Sequence, residues 1–141
     1  MTYKIILRRQ GFTLVELMLV VVIVAILSTV ALPNYSAYVR RSERAAARAV
    51  LLEAAAWMER RFTVNNSYAG ISRLPDDLRQ APRTGTAKYR VSLTQPAEIA
   101  AYQLQAAPER SGDKCGIFTL DHSGARGLIG NTASLEECWG R

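Results

Sequence analysis

Histidine occurs once, at His122, and cysteine twice, at Cys115 and Cys138. That supply is too small for a His/Cys/carboxylate cluster at metal-ligand spacing. Asp113, Asp121, Glu136 and Glu137 are too scattered along the chain for a calcium loop. No glycine-rich phosphate loop follows a strand-like run. Catalysis, a resident metal and an organic cofactor are therefore not expected. Residues 12–32 contain no glycine, no proline and one charge, Glu16. No Lys, Arg or His lies between Phe12 and Val39, and Met1–Gly11 contains no acid.

What is present is organised around that apolar run, Phe12 to Leu32. As a helix it is about 31 Å long, enough to cross a bilayer core. Its Val and Ile would suit a buried strand in water. In lipid an isolated span must satisfy its own backbone, so helix is expected. Lys4, Arg8 and Arg9 precede the run and fit retention on the cytoplasmic side. A carboxylate in hydrocarbon costs about 2.5–3.5 kcal/mol, so Glu16 needs a cationic partner. A new amino terminus would supply one if the chain were cut at the small-to-large junction Gly11-Phe12.

Gly11-Phe12-Thr13-Leu14-Val15-Glu16 resembles the cleavage motif of type IV prepilins and pseudopilins. The resemblance implies cutting after Gly11 by a membrane prepilin peptidase, N-methylation of Phe12 and retention of the apolar run. It places the family's assembly glutamate on Glu16 and its helix-distorting proline on Pro33, where a kink is expected. Pro33 to Arg41 continues the likeness. The second proline of many major pilins would fall on Glu53 and is absent. Cys115-Gly116-Ile117-Phe118-Thr119-Leu120-Asp121, followed by Gly124 and Cys138-Trp139, is similar to the end of PilE-like minor pilins.

The family implies an α+β pilin fold. A long N-terminal helix would pack on a three- to four-stranded antiparallel meander closed by a C-terminal disulfide loop. Five segments are expected: a cleaved leader at 1–11, a membrane and filament-core helix at 12–32, and an amphipathic helical half at 33–62. An αβ-loop at 63–87 and the sheet with its disulfide-bounded end at 88–141 complete the chain. Ala47, Val50, Leu51, Ala54, Trp57, Met58 and Phe62 share one helical face suited to the sheet. Ala45, Ala49, Leu52 and Ala56 form a second row, small enough to let another helix approach. Strands are expected at 88–94, 102–106 and 115–120, with a short fourth at 126–129. Outside the cytoplasm Cys115 and Cys138 are expected to form a bridge, which would stabilise the fold by about 3–4 kcal/mol.

The formal charge is +6, from 18 basic and 12 acidic residues. Without the three basic residues of the leader the balance falls to fifteen against twelve, or +3. That weakens a nucleic-acid reading based on net charge. The main expectation is a structural subunit, a minor pilin of a type IV pilus. It would be an inner-membrane precursor and then part of an extracellular filament. Its partners would be other pilin subunits, the prepilin peptidase and the pilus assembly machinery. A second expectation is a DNA-binding competence pilin, with Arg73, Arg79, Arg83, Lys88 and Arg90 as candidate phosphate contacts. Scattered solvated charge is the preferred reading of those five. A third is a type II secretion pseudopilin.

Overall fold

A computed structural model describes residues 11–140 of the chain. The expected leader cations Lys4, Arg8 and Arg9 lie outside the described residues. The chain divides into two compact units, Met1–Tyr38 and Val39–Arg141.

Helix α1 runs Leu14–Asn65, 52 residues. Thr13 starts it: the Glu16 N–H donates to Thr13 Oγ1 at 3.2 Å, and the Leu17 N–H donates to Thr13 O. Thr at the cap with Glu three residues later is the spacing of a capping box. In the first unit the large apolar side chains of α1 are exposed, from 48% at Ile23 to 74% and 75% at Leu14 and Val15. Three polar side chains there turn back onto the helix's own carbonyls. Ser28 Oγ donates to Val24 O, Thr29 Oγ1 to Ile26 O, and Asn34 Nδ2 to Val30 O. A helix that satisfies its polar groups internally is suited to hydrocarbon. By length and composition this segment is able to span a membrane. Helical geometry continues on both sides of residue 33.

In the second unit α1 presents its wide apolar face to a sheet. Ala47, Val50, Leu51, Ala54 and Met58 are buried, and Trp57 and Phe62 pack against that core. Ala45, Ala49, Leu52 and Ala56 face solvent. The sheet contains β1 (Gln80–Ala81), β2 (Tyr89–Leu93), β3 (Gln103–Pro108), β4 (Ile117–Asp121) and β5 (Arg126–Ile129). Neighbours in sequence pair antiparallel throughout, so it is a meander. One inward row crosses four strands in register: Val91, Ala106, Phe118 and Leu128. Alternation puts this row on the helix side and leaves polar residues such as Arg90 and Gln105 on the other face.

Five strands replace the three or four expected. The extra one, β1, lies inside the expected loop 63–87. Two residues are too few to show alternation, so β1 had no sequence signature. That loop is also tied down more firmly than its Gly, Pro and Asn suggested: Tyr68, Leu74, Leu78 and Ala81 are all buried. A short α2 (Leu135–Trp139), capped by Ser134, was not expected either.

The Cys115–Cys138 disulfide is present, with a Cα–Cα distance of 5.6 Å. It joins α2 to the turn before β4. Gly116 has a φ of +61°, and a Cβ there would stand 2.2 Å from Ile129 O. Only glycine lets this turn pass so close to β5. Trp139 Nε1 donates to Gly127 O at 3.0 Å, so α2 covers a backbone acceptor of β5, an edge strand of the sheet.

Candidate functional site

The expected processing and assembly residues lie at the start of α1. Gly11 and Phe12 precede the helix, and Phe12 is 81% exposed. Glu16 is in the first helical turn and exposed, where the helix dipole favours its charge. No ion pair involves Glu16 among the described residues. Pro33 lies within α1.

The five candidate phosphate contacts do not form one free basic patch. Arg73 and Arg79 both pair with Asp76, at 3.4 and 2.5 Å. Arg83 pairs with Glu53 of α1, and Arg90 with Glu109 across the β2–β3 pair. Exposed pairs contribute little to stability, but each carboxylate offsets the positive charge beside it. Lys88 differs, having no acid within ion-pair distance among the described residues. It lines a cleft with Arg40, Glu43 and Arg110.

Below that cleft lies a hub that sequence reasoning missed. Arg44 is buried, 7% exposed, and its Nε donates to both oxygens of Asp113 at 3.0 and 3.2 Å. Tyr89 OH donates to Asp113 Oδ2 at 3.0 Å, and the Cys115 N–H donates to Oδ1 at 2.8 Å. One carboxylate thus joins α1, β2 and the disulfide turn. Burial pushes the Asp113 carboxyl up. The Cys115 N–H, Arg44 and the Tyr89 hydroxyl outweigh burial and hold it below the usual carboxylate range. Burial, then the neighbouring Asp113 charge, pushes the Tyr89 hydroxyl well up, so it remains a donor. The available signal was register: Arg44 precedes Ala47 and Leu51 by three and seven residues, within the buried stripe.

A second hub ties the far end of α1. Tyr68 OH and Tyr102 OH both donate to Glu59 Oε1 at 2.9 Å. Burial and then the Glu59 hydrogen bond push the Tyr68 hydroxyl up to about 12. Near α2, Arg48 Nη1 donates to Cys138 O at 2.9 Å. These contacts fasten both ends of the sheet to the helix.

Residues 33–119 match the family model described as type IV minor pilin ComP, DNA uptake sequence receptor. Residues 6–32 match the prokaryotic N-terminal methylation motif. The chain is 35% identical over 82 residues to the type IV major pilin protein PilE1 of Neisseria gonorrhoeae, covering 50% of this chain and 47% of that one. It is 34% identical over 86 residues to the major pilin PilA of Myxococcus xanthus, covering 60% and 38%. The chain therefore spans about half the length, or less, of these curated relatives. In fold it is similar to the non-core minor pilin PilV of Neisseria meningitidis, with TM-score 0.54 and 24% identity, covering 69% of this chain and 93% of that one. With one family model covering more than half of it and a second covering the N-terminal motif, the chain belongs to the type IV pilins, in the minor-pilin family described by the ComP model.

Proposed function

We propose that this chain is a minor subunit of a type IV pilus, cut after Gly11, methylated on Phe12 and assembled through α1. The observation that carries this reading is the N-terminal part of α1. Its apolar side chains are exposed all round, its Ser28, Thr29 and Asn34 side chains are satisfied within the helix, and the Glu16 carboxylate is left for a partner. Such a segment requires lipid before assembly and other apolar helices afterwards. Cleavage leaves an α-amino group on Phe12, and methylation keeps it cationic. The amine of an incoming subunit then neutralises Glu16 of a subunit already in place. Misregistered docking leaves both charges in hydrocarbon, so this pair sets the axial stagger. Gly11 is the residue to test, because a side chain at the scissile position blocks entry to the peptidase. Gly11→Val should leave only full-length precursor on an immunoblot, and normal maturation of that variant would remove the prepilin reading.

A second role is favoured by the match to the DNA uptake receptor model, which covers residues 33–119. In this reading the Val39–Arg141 unit is displayed on the filament and captures duplex DNA. Binding of a labelled duplex by the processed chain should fall steeply as salt rises. Absence of binding at low salt would leave the filament role alone.

A further inference from the structure

We infer that the phosphate-binding site of this chain is the cleft between Arg40, Lys88 and Arg110, and that the paired arginines around it contribute little to DNA affinity. This rests on the DNA-capture reading. Three elements supply the three cations: α1, the residue before β2 and the β3–β4 connection. Each is held from below. Lys88 donates its N–H to Ala81 O and accepts from the Glu109 N–H through its carbonyl, so its backbone is fixed between β1 and the end of β3. Arg40 stands one turn before Arg44, which Asp113 holds. Arg110 lies in the connection that leads to Asp113, and Asp113 and Tyr89 both line the cleft.

Charge within the cleft favours an anion. Asp113 is already satisfied by Arg44, Tyr89 and the Cys115 N–H. Glu109, beside Lys88 and Arg110, is engaged by Arg90. Glu43 is the remaining acid lining it, against three cations. Arg73, Arg79, Arg83 and Arg90 differ: each would first have to leave a carboxylate. Tyr89, the aromatic residue in the wall, is 2% exposed, so it offers no open face for a base to stack on. The ligand group is therefore a backbone phosphate. Such contacts supply affinity and position without reading sequence.

The test is fluorescence anisotropy of a fluorescein-labelled duplex with the processed full-length chain in detergent micelles, read from about 50 to 200 mM salt. Lys88→Gln/Arg110→Gln should bind at least about tenfold more weakly and reduce the salt slope by about two. Lys88→Arg/Arg110→Lys should restore binding. Arg73→Gln/Arg90→Gln should change it less than about threefold. Glu43→Gln, which removes the opposing charge, should tighten binding at low salt. That gain cannot come from misfolding. If the wild-type chain binds and Lys88→Gln/Arg110→Gln binds equally well with the same slope, the cleft is not the site, although DNA capture stands. A wild-type chain that does not bind at low salt overturns DNA capture and this site together.

Discussion

Replacing Asp113 by Asn is the perturbation that most sharply probes how the globular unit is held together. The side chains of Arg44 and Asp113 are 9% and 13% exposed, so solvent does little to screen the pair. Asn retains an oxygen for the Cys115 N–H but removes the charge that compensates Arg44. Removing one partner of a buried ion pair costs about 3–5 kcal/mol, because the other charge remains buried. Asn still accepts one hydrogen bond, so the lower end, about 3 kcal/mol, applies. For a unit of this size that lowers the melting temperature by roughly 12 °C or more. The pH dependence gives a second reading. The folded carboxyl titrates below its unfolded value, so its contribution is complete above about pH 4. It is lost as the pH falls through the depressed folded value. The gap in stability between wild type and Asp113→Asn should therefore be widest near neutrality and close in acid. Calorimetry at several pH values measures both effects. A shift under about 3 °C near pH 7, or a gap that does not change with pH, would refute the hub argument.

Gly116→Ala should cost about 3 kcal/mol or more, because its Cβ would meet Ile129 O at 2.2 Å. Gly112→Ala, with similar φ but open space around it, should cost about 1 kcal/mol. Equal losses in chemical denaturation would remove the close-approach argument. A chain beginning near Arg40 keeps the wide stripe, the sheet and both cysteines, and should be monomeric with one disulfide by mass spectrometry. Two free thiols in periplasmic material would contradict the bridge.

The parts of this fold legible in the sequence were those with a repeating physical signature. The wide stripe from Ala47 to Phe62 had seven members on one face, and each is buried or packed against the core. The strands from Tyr89, Gln103, Ile117 and Arg126 each showed alternation or turn residues at their ends. Cys115 and Cys138 were paired by compartment and likeness, and they are bonded. β1 escaped because pairing to β2, not local propensity, makes Gln80–Ala81 a strand. The Arg44–Asp113 pair escaped because its members are 69 residues apart and nothing local joins them. The candidate DNA contacts were chosen as cations without their carboxylates. Glu53 and Glu109, which neutralise Arg83 and Arg90, come from a helix and a different strand connection. Register is visible along a chain, whereas charge pairing across elements requires the fold.

The proposed docking of subunits by charge at the N-terminal turn of α1 is measured by the amount of each Glu16 variant in sheared filaments relative to the membrane fraction. Glu16 also stands three residues after the Thr13 cap, a position where Gln serves as well as Glu. Glu16→Gln therefore keeps the helix start and removes only the charge, while Glu16→Val removes both. Both variants should be cleaved after Gly11 and remain in the membrane, and both should be missing from the filaments. If Glu16→Gln enters filaments at the wild-type level while Glu16→Val does not, Glu16 serves the helix cap and the charge-pairing account of assembly is wrong.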